Sequence, residues 1–286
     1  MHGRREAAIL VLPAILILVL IVIFPMLYSL VVSFHAYDLR VTQHPFIGLQ
    51  NFWTLLTDPR FHNALRVTGL LVVSELPLQF ALGLGLALLL ARKISGKRVI
   101  QPLLLIPMMI TPVVVGYMGR LLFEYRSGPI NYLLGLASLP GPLWHASSDT
   151  ALLTIVLLDT WQWAPFMMAV LLAGLVSLPR EPYESALVDG ASRLQIFWYI
   201  TLPLLKRVIF LALIMRTLAL LQSFDVIYVL TGGGPGTATE TISVYTYFTG
   251  FRYWNIGQAA SAAWVLAIIL SIGITLFLRT LAKEQP

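Results

Sequence analysis

Six long apolar stretches constrain the fold of this chain more than any other feature. Each contains about 20 or more mostly apolar residues, the length that a helix needs to cross about 30 Å of hydrocarbon. Only 11% of the residues are charged, whereas soluble domains usually carry about 25%. The sequence therefore predicts an all-α polytopic membrane protein with about six transmembrane helices. The predicted spans are Ala7–Val32, Val67–Leu90, Pro102–Phe123, Ala151–Val176, Leu204–Leu230 and Ala259–Leu278.

The basic residues lie in short clusters between these apolar stretches. Although the net charge is +6, this placement indicates membrane topology and not a nucleic-acid partner. The connections on one side, together with the span ends beside them, carry twelve Lys and Arg residues and those on the other side carry five, so the positive-inside rule places both termini in the cytoplasm. The twelve are Arg4, Arg5, Arg92, Lys93, Lys97, Arg98, Arg180, Arg193, Lys206, Arg207, Arg279 and Lys283, and the five are Arg40, Arg60, Arg66, Arg126 and Arg252.

The residues that usually carry enzyme chemistry form no pattern in this sequence. The chain contains no cysteine, and its five histidines are widely and irregularly spaced, so neither a metal site nor a catalytic group is predicted. It also has no Gly-x-x-x-x-Gly-Lys-Ser/Thr loop for binding nucleotide phosphates. The glycine-rich run 232–236 lacks the lysine of that loop. The sequence therefore predicts a protein that is not an enzyme and holds no cofactor of its own.

The connection between the fourth and fifth spans has the local signals of a helix, a turn and a second helix. Pro182 can occupy a first helical turn, where Glu181 and Glu184 complement the positive end of the helix dipole. Gly190 can adopt the left-handed conformation that ends a helix. A second short helix would then lead to Pro203, which can open the fifth span. The segment is predicted to be compact and to lie on the cytoplasmic side, either as a docking element or as a structured loop on the membrane.

This connection resembles the EAA loop of permease subunits from binding-protein-dependent ABC importers. The match consists of Glu184, Ala186, Asp189, Gly190, Ala191, Ile200, Leu202 and Pro203, with Ser185 where alanine is usual. The resemblance implies the type I ABC importer permease fold, in which the short helix couples to a separate ATPase subunit. The residues that it implicates in ATPase coupling are Tyr183, Glu184, Ala186, Leu187, Asp189, Gly190 and Ala191.

Two further segments are similar to carbohydrate permeases. The run 224–235 resembles a Phe-Asp-x-Ile-Tyr-x-Leu-Thr-x-Gly-Gly-Pro signature, typical of the first subunit of a permease pair, and 161–166 resembles the same group. The chain departs from the group at Gln222, where arginine is frequent, and at Ala219, where an acid is frequent. The resemblance implies a second, different permease, two ATP-binding subunits that hold the ATP and Mg²⁺, and an extracytoplasmic solute-binding protein that delivers a sugar.

Several polar side chains inside the apolar stretches are candidates for contacting the solute. Ionisable residues within spans are costly and usually face a cavity or a partner. Arg216 and Asp225 are nine residues apart, or about 900° around a helix, so they cannot pair within one straight helix and each needs another partner. Sugar recognition calls for hydrogen-bonding groups and flat aromatic faces. On that chemistry the predicted substrate-path residues are Asp159, Trp161, Gln162, Trp163, Gln222, Asp225 and Tyr228.

These observations predict the permease subunit of an ATP-driven importer of a sugar, an oligosaccharide or glycoside, in the cytoplasmic (inner) membrane of a bacterium or archaeon. The alternatives are the same architecture importing a glycerol-phosphate or a polyol, which Arg120 and Arg216 leave open, and an ion-coupled secondary transporter. The latter commonly shows inverted repeats, and none is visible here. The predicted organisation is an N-terminal helix and outer loop (residues 1–66), then a core permease domain (67–286) with the coupling loop at 177–203.

Overall fold

The computed structural model describes residues 11–92 and 94–282, and helices dominate this part of the chain. Within these residues β-pairing is limited to two isolated bridges, so the predicted all-α architecture is confirmed. The helices are α1 (Val11–Ser33), α2 (Gln50–Thr57), α3 (Pro59–Ala91), α4 (Lys97–Met109), α5 (Pro112–Leu122), α6 (Pro129–Leu136), α7 (Ser148–Ser177), α8 (Glu181–Val188), α9 (Arg193–Ile196), α10 (Leu202–Leu221), α11 (Asp225–Leu230), α12 (Ile242–Tyr247) and α13 (Ile256–Ala282).

Four helices in the described residues are long and apolar enough to cross a membrane, or five if the bent pair α4 and α5 is one span. The four are Val11–Ser33, Pro59–Ala91, Ser148–Ser177 and Ile256–Thr275. They correspond to the predicted first, second, fourth and sixth spans. The start of the predicted first span, 7–10, lies outside the described residues, as do Arg4, Arg5, Lys93 and Lys283 of the charge comparison.

The predicted third span is not one straight helix. Helices α4 and α5 meet at an angle of 93° across a short break at Ile110 and Thr111, and both residues have extended ψ angles, 133° and 135°. Pro112 explains the break, because it lacks an N–H group and disfavours helical geometry in the residue before it. It then opens α5 as a first-turn proline.

The predicted fifth span, Leu204–Leu230, is also divided. Helix α10 is 20 residues long and ends before Gln222, and α11 begins at Asp225. Ser223 and Asp225 favour helix starts over helix interiors, and an acid in a first turn complements the helix dipole, so a new helix begins there. Helix α10 also carries the three charged residues Lys206, Arg207 and Arg216, and this charge separates it from the four candidate spans although its other residues are mostly apolar.

Helix α7 is the central helix of its neighbourhood. Two-thirds of its most apolar window is buried, as expected for a helix that is apolar on all faces. Ser147 caps it by accepting a hydrogen bond from the Asp149 amide. Gly174 allows α10 to approach closely, because a Cβ there would lie 2.7 Å from Leu205 and 2.8 Å from Val208. The apolar core that joins α3, α7 and α10 comprises Leu84, Ala87, Leu90, Met168, Leu171, Leu172 and Leu205.

The contacts divide the chain into two compact units. One consists of the residues up to His62 together with Tyr245–Ser271, and the other consists of Asn63–Val244 and the residues from Ile272 onward. In the first unit, the Asn51 amide donates to the carbonyl oxygens of Ser33 (2.8 Å) and His35 (2.9 Å). Both candidate sites described below belong to the second unit.

Candidate functional site

A cavity of about 160 Å³ lies among α5, α7, α10 and α11. Four of the seven predicted substrate-path residues line it: Asp159, Trp163, Gln222 and Asp225. The first two lie one turn apart on the same face of α7, and the other two flank the break between α10 and α11. Polar side chains from that face of α7 and from the break therefore meet at the cavity. The remaining lining residues are Pro112, Arg216, Ala219, Ser223, Phe224 and Val226.

The cavity wall contains a buried ion pair between two helices. Arg216 of α10 donates from Nη2 to Oδ2 of Asp159 on α7, and both side chains are about 95% buried. Its Nε donates to Gln79 Oε1 of α3 at 2.6 Å, and Gln79 Nε2 donates to Asp159 Oδ2 at 2.9 Å. The guanidinium carbon also lies 4.9 Å from the centre of the Trp163 ring. These contacts satisfy the prediction that Arg216 needs a partner other than Asp225, and they join three helices.

Glu75 is a further acid beside this pair. It lies one turn before Gln79 on α3, is only 1% exposed, and interacts electrostatically with Asp159 and Arg216. Its Oε1 atom has no hydrogen-bond partner within residues 11–92 and 94–282. Buried carboxyl oxygens are normally hydrogen-bonded, so Glu75 makes this part of the core unusually polar.

Gln162 has a structural role at the break between α4 and α5. Its side chain is fully buried, and Nε2 donates to the Ile110 carbonyl oxygen at 2.8 Å. The bend removes that carbonyl from a regular helical ladder, and the amide replaces the lost partner. Gln162 therefore faces the bend and lies outside the lining of the cavity.

The other two predicted path residues also lie outside the cavity lining. Trp161 is 45% exposed on a different face of α7. Tyr228 lies one turn into α11, where its ring stacks on Phe224 at 5.1 Å between centroids. Phe224 itself lines the cavity, so the Tyr228 ring contacts a lining residue but does not line the cavity.

The structure adds residues that sequence reasoning did not place at the site. From the sequence, Arg216 is only a costly ionisable residue within a span, and that cost indicates a buried partner. Gln79 has the same kind of signal, an amide inside a long apolar run. Ser223 and Phe224 reach the cavity because α10 ends one residue before Gln222, and the apolar pattern gave no sign of that end.

The connection after α7 forms a second candidate site on the surface. Helix α8 ends in a Schellman turn, in which the Ala191 amide donates to the Ala186 carbonyl (2.9 Å) and the Gly190 amide donates to the Leu187 carbonyl (3.2 Å). Gly190 has a φ of 76°, which confirms the predicted left-handed conformation. Pro182 lies in the first turn of α8, as predicted. The second helix does not end at Pro203, however, because α9 continues through a π-helical turn, Phe197–Thr201, into α10.

The surface of this connection combines charge with exposed apolar side chains. Leu187 is 64% exposed and Val188 is 87% exposed, and Glu184 and Asp189 are exposed beside them. Ala186 is half-buried, and the Tyr183 hydroxyl donates to Thr201 Oγ1 at 3.2 Å. Helix α8 is therefore hydrogen-bonded to the π-helical turn that precedes α10, while its Leu187 and Val188 side chains remain exposed. Large exposed apolar side chains next to charged ones are typical of interaction surfaces.

The chain is similar in sequence to known transport proteins. Residues 79–283 match the family described as "Binding-protein-dependent transport system inner membrane component". A probable ABC transporter permease protein, y4oQ, of Sinorhizobium fredii is 40% identical over 270 residues, covering 93% of this chain and 87% of the relative. The trehalose/maltose transport system permease protein MalF of Thermococcus litoralis is 35% identical over 277 residues, covering 95% of this chain and 92% of the relative.

The fold also matches a solved structure. A chain of a bacterial ABC transporter involved in the import of the acidic polysaccharide alginate superposes with a TM-score of 0.88, covering 100% of this chain and 98% of that chain at 24% identity. The helical architecture described above is thus shared over its whole length with a chain of that transporter. From the family match and the near-full-length relatives together, the chain belongs to the binding-protein-dependent transport system inner membrane components, a family of transporter permease subunits and not of enzymes.

Proposed function

We propose that this chain is the permease subunit of an ATP-driven importer of a sugar, an oligosaccharide or glycoside. It receives the solute from an external binding protein, passes it through the cavity beside the Arg216–Asp159 pair, and releases it to the cytoplasm. The sugar class is supported by the permease relative named for trehalose and maltose. It is also supported by the polar and aromatic lining of the cavity, since such groups hydrogen-bond and stack on sugars.

The observation that carries the coupling part of the proposal is the exposed face of α8. Glu184 and Leu187 lie one turn apart on this helix, Asp189 follows its last residue, and all three are exposed. The Schellman turn at Gly190 then joins this helix to the next one. A separate ATPase subunit would bind this surface. That subunit, and not the permease, would bind ATP and Mg²⁺. Movement of the ATPase would reach the spans through the Tyr183–Thr201 contact and the helical segment that ends at Leu221.

The proposed assembly contains two ATP-binding subunits, an extracytoplasmic solute-binding protein and a second, different permease. The proposed location is the cytoplasmic membrane of a bacterium or archaeon, with both chain termini and the α8 surface on the inner side. The excess of Lys and Arg on that side of the spans supports this orientation. The α8 surface then lies where ATP is available.

The test is solute uptake by the complete complex reconstituted in proteoliposomes, with ATP enclosed and the binding protein outside. We expect uptake of radiolabelled maltose, trehalose or a related glycoside to require ATP and the binding protein. Changing Glu184→Lys and Gly190→Val together should abolish uptake, while Glu181→Gln, at the start of the same helix, serves as the matched control. Uptake driven by a proton or sodium gradient in the absence of the ATPase would contradict the proposal and favour an ion-coupled transporter.

The cavity has its own test. We expect Asp225→Ala to lower uptake with normal assembly of the complex, because it removes an exposed hydrogen-bond acceptor from the lining. Asp149→Ala removes a similar carboxylate from the start of α7, away from the cavity, and should leave uptake unchanged. Unchanged uptake in the Asp225 variant would rule out a role for that residue in the path.

A further inference from the structure

We propose that the cavity beside Arg216 discriminates against anionic solutes and that Asp225 sets this discrimination, so the solute class of the permease is uncharged. This inference rests on the proposed function and narrows its substrate. It concerns the sign of the electric field in the cavity, which follows from how the charged residues of the lining are paired.

The positive charge of Arg216 is already paired within the protein. Its side chain is 4% exposed, and two of its nitrogen atoms are occupied by Asp159 and Gln79. Its planar face is also covered on one side by Trp163. An arginine serves as an anion receptor through free guanidinium N–H groups that can bind two oxygen atoms together. Here Nε and Nη2 point at Gln79 of α3 and Asp159 of α7, so a phosphate or carboxylate that bound this edge of the guanidinium with two oxygen atoms would first have to displace Asp159.

Asp225 is the charged lining residue that remains unpaired. It lies in the first turn of α11, is exposed, and has no ion-pair or hydrogen-bond partner within the described part of the chain. The lining therefore holds one cation against two carboxylates, and the second carboxylate is the one that a solute meets. A narrow site with low-dielectric walls concentrates such a field and changes local ion concentrations by a factor of about 10 or more.

The neutral lining residues suit a hydroxyl-bearing solute. Gln222 and Ser223 can both donate and accept hydrogen bonds, and Asp225 can accept from a hydroxyl group. An uncharged polyol or saccharide can satisfy these groups, whereas an anion adds a second negative charge that nothing in the lining neutralises. The same arrangement therefore disfavours the glycerol-phosphate alternative.

The natural absence of cysteine from this chain permits a direct measurement of the field. We would place one cysteine in the cavity by Ala219→Cys, and in a parallel variant by Ser223→Cys. Each complete complex would be treated with a cationic trimethylammonium or an anionic sulfonate methanethiosulfonate reagent. Labelling of this chain would be followed by mass spectrometry. Because both reagents attack the same thiolate, the ratio of their rates reports the local field and not the reactivity of the thiol.

An exposed reference cysteine, Ala137→Cys at the end of α6, corrects for the intrinsic difference between the reagents. After that correction, we expect the cationic reagent to label the cavity cysteine about tenfold faster than the anionic one. Adding Asp225→Asn should bring the ratio close to one. The matched control Asp149→Asn removes the same charge from a surface position on α7 and should leave the ratio unchanged.

Three results would overturn the proposal. The first is a corrected ratio near one or in favour of the anionic reagent. The second is an equal effect of the Asp149 and Asp225 variants, and the third is no labelling of either cavity cysteine in any nucleotide state. If the Ala219 variant does not assemble, the Ser223 variant carries the measurement. Because labelling needs neither sugar nor uptake, it separates a wrong assignment of the field from a failure of the proposed transport function.

Discussion

Arg216 and Asp159 form an ion pair across two helices although 57 residues separate them in the chain. Both side chains are almost fully buried, so neither charge can return to water when its partner is removed. Losing one member of such a pair leaves an uncompensated charge in the core, which costs about 3–5 kcal/mol. Replacing both members with apolar residues of similar size is often neutral.

We therefore expect Asp159→Leu to lower the free energy of unfolding by about 3–5 kcal/mol and the double variant Asp159→Leu, Arg216→Met to recover most of that loss. The measurement is denaturant or thermal unfolding of the purified protein in detergent. Asp149→Leu, at an exposed position in the first turn of the same helix, is the control and should cost at most about 1 kcal/mol, the value of its interaction with the helix dipole. A double variant as unstable as the single one would show that the pair itself is required.

The bond between Gln162 and the Ile110 carbonyl predicts a cost for losing a single amide. We expect Gln162→Leu to destabilise the protein by about 1–3 kcal/mol, because the partly buried Ile110 carbonyl at the bend would lose its donor. Gln101→Leu removes an amide of the same size from a half-buried position on α4 and should have little effect. Equal thermal unfolding of the two variants would mean that the bend does not depend on this bond.

The close approach of α5 and α11 depends on Gly116. A Cβ at this position would lie 2.8 Å from the Val229 Cβ and 3.3 Å from the Val226 carbonyl oxygen, and neither atom can move without shifting α11. We expect Gly116→Ala to cost about 1–3 kcal/mol through overpacking. In Gly135→Ala on α6 the new methyl group meets nothing within 4 Å, so that variant should be neutral or slightly stabilised. The two melting temperatures, compared side by side, test this difference.

The effect of a substitution at Gly190 on uptake should depend on the backbone conformation that the new residue tolerates and not on the volume of its side chain. The residue has a φ of 76°, and a Cβ there would meet nothing within 4 Å, so space is available and only the left-handed conformation limits the choice. We expect Gly190→Asn to keep most ATP-driven uptake, because asparagine tolerates this conformation. Gly190→Val should lose most of it, because a β-branched residue there is strongly disfavoured. Similar uptake by the two variants would contradict this account.

A hydrogen bond within the chain's first unit predicts that stability depends on pH. The Tyr245 hydroxyl donates to Asp58 Oδ2 at 2.7 Å, and burial together with the Asp58 carboxylate raises the pKa of Tyr245 above its usual value. The folded state thus favours the protonated phenol. Its contribution to stability is complete below the unfolded-state pKa of about 10 and is lost as the pH rises above that value.

We therefore expect Tyr245→Phe to destabilise the protein by about 1–2 kcal/mol at pH 8, because Asp58 loses a donor. The gap between the wild type and this variant should narrow between about pH 10 and pH 12. Unfolding curves at several pH values measure that gap. Tyr132→Phe, which changes an exposed tyrosine on α6, provides the control, and a gap that does not change with pH would contradict the prediction.

The long helices were predictable because their length and apolar character are local properties of the sequence. The predicted span Ala151–Val176 lies inside α7, whose start is fixed by the Ser147 cap. The direction of the chain at a break was not predictable in the same way. Pro112 indicates that a helix cannot continue smoothly through it, but the 93° angle depends on what α5 packs against.

The site was predictable in its residue types but only partly in its arrangement. The polar residues Asp159 and Asp225 stood out because charge is rare within apolar stretches, and both line the cavity. The partner of Arg216 did not stand out, because helical geometry within one span tests only Asp225 and the real partner lies on α7. Trp161, two residues after Asp159, has the right chemistry but lies on a different face of α7. The predicted fifth span runs to Leu230, past the end of α10 at Leu221, so the prediction missed the break that brings Ser223 to the cavity.

The uninterrupted helical segment from Arg193 to Leu221 has a mechanical consequence. Its 29 residues span roughly 40 Å, with the Gly190 turn just before one end and Gln222 of the cavity just after the other. A helix resists stretching and compression because every turn is held by hydrogen bonds, so a displacement of its lower end arrives at the upper end nearly undiminished. The π-helical turn at Phe197–Thr201 is the place along this length where the hydrogen-bond register already differs. In the proposed transport cycle, a change of register there would alter how far the cavity residues Arg216 and Ala219 move.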